Sequence, residues 1–290
     1  MPDTQSLLAL VDHVVRVTPI GPVGLALSSA LWVVVYLAAQ LVTSNACQRS
    51  RGALSAPKRD AWDNYAMAWC HNLVAFAGAA AVTFSHLPSP SNSVSMWRFS
   101  TPLAEFVVQL TLAFILVDTV FVLCKWNSIG GVDVLIHHLI FPLSYGLGLY
   151  ATADAAGRPF GVFLMLVFQL GEISTPFLHQ RWFFANTGMK GTVLDTLNNV
   201  CFTLTFIGIR GVFMTFVMAQ IWASAPHPLY WPGCFKCSIV MQAGILFQLL
   251  QYFWCFKVLS GAISLLTRSG KVVSDGVSSQ DASGTSKKQG

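Results

Sequence analysis

Residues 130–145 read GGVDVLIHHLIFPLSY, and this stretch decides the fold class of the chain. It places two adjacent histidines, His137 and His138, shortly after Asp133, and only apolar or small residues follow as far as Tyr150. Ionisable side chains at the edge of a lipid-buried helix are costly and are usually kept for function. The stretch therefore predicts a membrane helix that begins with a functional histidine pair.

The whole chain has the composition of a helical membrane protein. Of its 290 residues, 54% are hydrophobic and only 10% are charged, whereas soluble domains carry about 25% charged residues. Several apolar runs reach ~18 residues, which is long enough to cross a bilayer. The sequence lacks the alternating pattern of barrel strands. We therefore expect an all-α, polytopic membrane bundle of about seven transmembrane helices, with no nucleic acid among its partners.

Seven apolar runs divide the sequence into a lumenal segment (1–21), a first helix with a basic loop (22–59), a main domain and a tail. The predicted spans cover residues 22–43, 65–84, 102–123, 133–151, 159–180, 193–222 and 236–266. Asp133 is the expected N-cap of the fourth span, and Thr192 with Asp195 fits a capping box at the sixth. Residues 5–17 fit either a surface amphipathic helix or an extension of the first span. Residues 268–290 are rich in Ser, Gly and Lys and are predicted to be disordered.

Basic residues predict the orientation in the membrane. With the N-terminus lumenal, twelve Lys and Arg residues flank the cytosolic ends of the spans, against four on the opposite side. This bias matches the rule that cytosolic loops are positively charged, so we expect a cytosolic C-terminus. Lys287 and Lys288 then resemble a dilysine retrieval signal, which predicts the endoplasmic reticulum membrane.

Polar residues within the spans gather in the cytosolic half of the predicted bundle. They are His71, Asn72, Asp118, His137, His138, Glu172, Asn198, Asn199 and Arg210. This pattern favours a polar pocket open to the cytosol, with His71, Gln169, Glu172, Asn199 and Arg210 as substrate-binding residues. The alternative is structural, with Arg210 paired to Glu172 or Asp118 and the other polar groups joining helices.

The two histidines of the pair are expected to face different neighbours. Asp133 lies four residues before His137 and shares its helix face. His138 is rotated by about 100° from His137, and it meets Asp118 only if the third span packs against that face.

Metal and cofactor sites are not expected. Only four histidines fall on the predicted cytosolic side, which is too few for a membrane di-iron centre, and the H-E-x-x-H motif is absent from the sequence. Cys234 and Cys237 form a C-x-x-C on the lumenal side, where either a disulfide or two ordinary interface cysteines are compatible with the spacing.

Four groups of residues together resemble the TRAM-LAG1-CLN8 (TLC) domain family. These are Trp62-Asp63-Asn64-Tyr65 with His71 downstream, Asp118, Ile136-His137-His138-Leu139, and Glu172-Ile173-Ser174-Thr175-Pro176-Phe177 with the following Arg181-Trp182. The resemblance covers residues 60–267, and the last group is most similar to the small stand-alone TLC proteins. It implies a TLC-like helical bundle whose partners are membrane lipids.

The family includes ceramide synthases, which transfer an acyl group from coenzyme A to a sphingoid amine. The resemblance implies that His137 or His138 is a general base or transient acyl acceptor, oriented by Asp118 or Asp133. Acyl-CoA is then a co-substrate, and no other cofactor is implied.

Two departures weaken the enzymatic reading. Leu139-Ile140-Phe141 follows the histidine pair where ceramide synthases usually carry a Thr, and the fifth span offers Gln169 and Glu172 in place of two Asp residues. We therefore favour a protein of lipid homeostasis or membrane composition, with a ceramide-synthase-like acyltransferase as the alternative.

Overall fold

The computed structural model describes residues 13–15, 17–85, 97–153, 157–223 and 235–284, with side chains as far as residue 264. The described residues form helices joined by short connections, and seven of these helices are long and apolar enough to cross a membrane. The prediction of an all-α polytopic bundle is therefore confirmed. Most of the predicted amphipathic segment 5–17 lies outside the described residues, as does Cys234 of the C-x-x-C. Cys237 is disulfide-bonded.

The seven long helices are labelled in chain order. They are α1 Pro22–Ala46, α2 Ala56–Ser85, α3 Pro102–Cys124, α4 Val132–Ala151, α5 Val162–Asn186, α6 Val193–Ala223 and α7, whose membrane-spanning part is Phe235–Ser264. Two short helices, Gln48–Gly52 and Trp126–Ile129, lie in the connections after α1 and α3. Thr101 caps α3, where its hydroxyl accepts from the Ala104 amide, and Pro102 fits the first turn.

Helix α5 occupies the centre of the bundle. The most apolar part of α5 is 72% buried, whereas that of α1 is only 17% buried. Helix α5 packs against α2 and α3, α3 packs against α4, and α4 packs against α7, while α1 lies outside against α2 and α3. The Tyr145 hydroxyl of α4 donates to the Met165 carbonyl of α5 at 2.9 Å. Helices α2, α3 and α6 therefore pack around one central helix.

One end of the bundle, which we call the basic end, carries residues 47–55 and 125–131. Two ion pairs lock its first three helices together. Arg51 donates to both carboxylate oxygens of the buried Asp63, at 2.9 and 2.7 Å, and these hydrogen bonds raise the pKa of Arg51. Lys125 lies 2.8 Å from Asp60 and 3.0 Å from the Tyr36 hydroxyl. The opposite end, with residues 17–21, 97–101 and 157–161, is called the far end.

Two of the spanning helices widen into π-helix. In α4 the π-helical turn is Leu147–Ala151, and in α6 it is the longer segment Phe206–Phe213. The Gln248 side chain of α7 donates to the Arg210 carbonyl at 3.1 Å, which gives the widened segment of α6 a partner from outside the helix. Segments of this kind are frequent at functional sites.

The prediction that Asp133 caps α4 is wrong. The helix begins at Val132, its N-cap residue is Gly131, and no side chain makes a capping hydrogen bond there. The Asp133 carboxylate instead lies toward α7, as described below. Thr192 is confirmed as the N-cap of α6, because its hydroxyl accepts from the Asp195 amide at 3.3 Å. The reciprocal bond of a capping box does not form, because the Asp195 carboxylate accepts from the Gly191 amide at 2.9 Å and the Thr192 amide donates to the Met189 carbonyl.

Two helices extend beyond the predicted apolar runs. Helix α2 begins at Ala56 because its first turns bury the polar residues Asp63 and Asn64 against partners, which hydropathy alone does not register. Helix α7 continues to Gly284, through part of the segment that composition predicts to be disordered. Adding residues to an existing helix costs little compared with starting one.

Candidate functional site: a buried histidine–aspartate dyad

His138 of α4 and Asp118 of α3 meet inside the bundle, near its basic end. His138 Nε2 lies 3.5 Å from Asp118 Oδ2, and the two residues are only 5% and 8% exposed. The contact forms because α3 packs directly against α4. We call this pair the dyad. Of the histidine–carboxylate pairs considered from sequence, this is the one that the structure brings together.

Two further residues position the dyad. Asn64 of α2 donates to Asp118 Oδ1 at 2.9 Å, so three helices contribute to it. Thr119 Oγ1 donates to the Ile115 carbonyl and also lies 2.9 Å from His138 Nδ1. Neither residue was assigned a role from sequence. Asn64 belongs to the Trp62–Tyr65 motif, but hydropathy places it before the second span, and Thr119 carries no sequence signal beyond its adjacency to Asp118.

The contacts of Thr119 predict the tautomer of His138. A threonine hydroxyl has a single proton, and we assign it to the Ile115 carbonyl, which at 2.5 Å is the shorter of its two contacts. On this assignment Thr119 accepts from His138, which places a proton on Nδ1. His138 Nε2 then faces Asp118 Oδ2 with a lone pair, so a favourable contact requires one proton between them.

His137 faces away from the dyad, toward α7. Its ring lies 4.5 Å from the ring of Phe141, 5.6 Å from Phe247 and 5.7 Å from Trp254. Its Nδ1 is buried and has no hydrogen-bond partner. The expected contact with Asp133 does not form, because Trp254 Nε1 and Lys257 Nζ lie 3.2 and 3.3 Å from the Asp133 carboxylate. The prediction that Asp133 orients a ring of the histidine pair is therefore not supported by its contacts.

Arg210 of α6 is held by two other helices at once. Its guanidinium donates to the Gly171 carbonyl, Ser174 and Thr175, and lies 3.3 Å from Glu172 Oε1, all on α5. It also donates to Gln251 of α7 at 3.2 Å. The pairing with Glu172 matches the structural alternative considered from sequence. Because these partners occupy its donors, Arg210 joins α5, α6 and α7 and has little capacity left for a substrate.

Several buried polar atoms of the spanning helices make no hydrogen bond. They are His71 Nε2, Asn72 Nδ2, His137 Nδ1, His179 Nδ1, both side-chain polar atoms of Gln169, and Gln251 Nε2. We call these residues the polar cluster. Helix α2, which carries His71, packs against the Gly171–Ser174 turn of α5, and Tyr65 of α2 stacks on His179 of α5. These contacts place His71, Glu172 and His179 in one region.

Aromatic side chains hold two histidines of the polar cluster. The His71 ring is stacked on Phe114 with 3.7 Å between centroids, and the His179 ring is stacked on Tyr65 at 4.7 Å. Asn199 is different, because its amide bonds Asp195 on the same helix at 3.0 Å and no described contact joins it to the dyad. The structure thus groups His71, Gln169, Glu172 and Arg210 around the histidine pair and leaves Asn199 near the start of α6.

Two cavities lie outside the polar cluster. One, of about 590 Å³, is at the far end and is lined by Ile20, Pro22, Leu25, Glu105, Leu149, Tyr150, Gly157 and Pro159. Another, of about 330 Å³, lies between α4 and α7. Among the described residues, no group of three or more His, Cys, Asp or Glu side chains is placed to hold a metal ion.

Comparison with known proteins identifies the family. The TLC domain model matches residues 61–260. TLC domain-containing protein 4 A of Dictyostelium discoideum is 22% identical over 89% of this chain and 93% of its own length. TLC domain-containing protein 4-B of Danio rerio is 24% identical over 78% and 83%, and the human TLC domain-containing protein 4 is 23% identical over 74% and 79%. No solved structure matches significantly. The chain belongs to the TLC domain family.

Proposed function

We propose that this protein acts in lipid homeostasis or membrane composition, by binding the polar part of a membrane lipid in the polar cluster. The observation that carries the proposal is the set of buried polar atoms without partners around His71, His137, Gln169 and Gln251. Each such atom costs about 1–3 kcal/mol if it stays unpaired. A bound polar group would satisfy several of them at once.

A lipid is the ligand that the surroundings favour. The cluster lies within helices that are long and apolar enough to span a bilayer, so the molecules that surround them are lipids. The Arg210 guanidinium is already neutralised by Glu172, which leaves no described free cation in the cluster for a highly charged head group. A lipid with hydroxyl or amide groups suits these donors and acceptors best.

The endoplasmic reticulum is the proposed location. Lys287 and Lys288 near the C-terminus support it as a dilysine signal, provided that the tail is cytosolic. The excess of Lys and Arg at the basic end supports that orientation, with a lumenal N-terminus. The polar cluster and the dyad would then lie toward the cytosolic side of the membrane.

A second candidate function is acyl transfer from acyl-CoA, favoured by the contact between His138 and Asp118. An amine or hydroxyl acceptor would attack the thioester carbonyl, form the new amide or ester bond and release coenzyme A thiolate. His137, whose Nδ1 has no partner, would take the acceptor's proton. The dyad would supply the proton that the departing thiolate needs.

One experiment separates the two functions. Purified protein in lipid nanodiscs is incubated with labelled acyl-CoA and a panel of amine and hydroxyl acceptors, and cellular lipid composition is measured in parallel. Wild type is compared with the polar-cluster variant His137→Ala, the dyad variants His138→Ala and Asp118→Asn, and the lipid-facing control Leu139→Ala. We expect His137→Ala to lose the cellular lipid effect and wild type to show no acyl transfer. Dyad-dependent acyl transfer would establish the second function, and a lipid composition indifferent to His137→Ala would overturn the first.

A further inference from the structure

A groove runs between α4 and α7 on the outer surface of the bundle. On α4 it is lined by Ile140 and Leu143, and on α7 by Phe235, Ser238, Ile239, Gln242, Ala243 and Leu246. Six of these eight residues are apolar, and the volume of about 330 Å³ lies at the lower end of the range for small-molecule sites. We call it the α4–α7 groove.

The groove lies at membrane depth. Both of its walls belong to spanning helices, and the α7 residues from Phe235 to Leu246 extend along about 16 Å at 1.5 Å per residue. This length is close to one leaflet, because the hydrocarbon core of a bilayer is about 30 Å thick. Lipid chains therefore surround the groove, and water does not compete for it.

The groove ends one helical turn from His137. On α4, His137 lies three residues before Ile140, the groove residue nearest the basic end of that helix. Its buried Nδ1 has no partner. A buried polar atom without a partner thus lies one turn beyond the end of an apolar groove that opens to the bilayer.

We propose that the α4–α7 groove binds the chain of a single-chain acyl lipid whose polar end contacts His137. The chain runs from His137 toward Phe235, that is, from the basic side of the membrane midplane to the far end. The lipid enters sideways from the bilayer between α4 and α7, without passing through the basic end. This inference rests on the proposed function and adds to it the position, direction and access route of the chain.

An ion pair at the basic end of the seam between α4 and α7 supports this direction. Asp133 of α4 and Lys257 of α7 are joined there at 3.3 Å, and Trp254 also donates to Asp133. These contacts close the seam between the two helices on the side of His137 that faces the basic end. The wide part of the seam is therefore on the other side of His137, where the α4–α7 groove is found.

Photocrosslinking tests the proposal on the intact protein. Two photoreactive monoacylglycerols are prepared, one with a diazirine next to the ester and one with a diazirine near the terminal methyl group. Each is incorporated with wild-type protein into phosphatidylcholine nanodiscs, and labelled peptides are mapped by mass spectrometry. We expect the ester-side probe to label residues near His137 and the methyl-side probe to label residues 235–242.

Variants that fill the groove provide the control. Leu143 is 51% exposed on the groove wall and Val34 is 59% exposed on α1, so both tolerate a larger side chain facing lipid. Leu143→Trp should reduce labelling of residues 235–242 at least five-fold, and Val34→Trp should leave it unchanged. Leu246→Trp, at an exposed residue of the opposite wall, provides a second test should Leu143→Trp fold poorly.

The outcomes distinguish this inference from the proposed function. Reversed labelling by the two probes, or labelling that is indifferent to Leu143→Trp and Leu246→Trp, would overturn the groove while leaving lipid binding intact. Labelling around His71 and Gln169 with none at residues 235–242 would do the same. If neither probe labels the polar cluster or the groove, the proposed function fails with it.

Discussion

Thr119 Oγ1 lies 2.9 Å from His138 Nδ1 and 2.5 Å from the Ile115 carbonyl oxygen. With the hydroxyl proton assigned to the Ile115 carbonyl, Thr119 accepts from His138 and so sets which nitrogen of His138 carries hydrogen. The remaining nitrogen then faces a carboxylate oxygen of Asp118, and both are natural acceptors. The protonation of the dyad therefore depends on the residue that directly follows Asp118 in the chain.

Replacing Thr119 should change the tautomer of His138. In Thr119→Val the acceptor for Nδ1–H is lost, so the proton should move to Nε2 and point at Asp118. We expect nitrogen NMR of histidine-labelled protein to show this exchange, with His138→Gln used to assign the signals. Thr119→Ser keeps the hydroxyl and should reproduce the wild-type spectrum. A Thr119→Val spectrum identical to wild type would contradict the tautomer assignment.

Removing Arg210 should unfold the bundle rather than only alter ligand binding. Arg210→Met leaves Glu172, whose side chain is only 13% exposed, without its cation and separates α5, α6 and α7. Breaking a buried charge pair by removing one partner typically costs about 3–5 kcal/mol, and thermal unfolding in detergent measures the loss. Arg49→Met, at an exposed arginine, is the control and should cost less than about 0.5 kcal/mol. Equal stabilities of the two variants would refute the structural role of Arg210.

The two histidines should differ in their contribution to stability. His138→Ala leaves Thr119 and Asp118 each without a buried partner, which should cost about 1–3 kcal/mol. His137→Ala removes a nitrogen that has no partner, so its polar cost is absent and only ring packing is lost. We expect His137→Ala to lose the lipid effect at nearly wild-type folded yield, and His138→Ala to lose both. Folded yield and lipid composition are measured together, and the opposite order of stabilities would contradict the assigned contacts.

Glycosylation mapping should establish the orientation. An Asn-Gly-Thr acceptor introduced between residues 52 and 55 should stay unmodified, because the basic end is predicted to be cytosolic. The same acceptor inserted on a spacer after residue 156 should be modified. Modification of the first site would contradict the proposed topology. It would place the basic end, and with it the dyad, on the lumenal side.

The tail should carry the location signal. Changing Lys287 and Lys288 together to Ser removes the proposed dilysine signal without touching a membrane span. We expect the protein to move from the endoplasmic reticulum to later compartments, as followed by fluorescence microscopy. Changing Lys271 to Ser is the control, and it should leave the distribution unchanged. An unaltered distribution in the double variant would show that Lys287 and Lys288 are not a localisation signal.

The number and order of the spans could be predicted because they depend on local hydropathy, which the sequence states directly. Pairing within the site could not, because it depends on which helices become neighbours. His138 contacts Asp118 only because α3 packs on α4. Asp133 does not contact His137 because Trp254 and Lys257 of α7 bind its carboxylate. No role could be assigned to Asn64 from the sequence, for a different reason. Its side chain donates to Asp118 of α3, so α2 begins earlier in the chain than hydropathy indicates.

The partners of Arg210 also bear on how the protein is made. Glu172 precedes Arg210 by 38 residues, so its carboxylate has left the ribosome before the arginine does, whereas Gln251 follows 41 residues later. An unpaired arginine at the centre of a membrane helix is strongly disfavoured. When α6 is synthesised, Glu172 of α5 is already present and Gln251 of α7 is not. A chain that stops between α6 and α7 would therefore leave Arg210 without its hydrogen bond to Gln251.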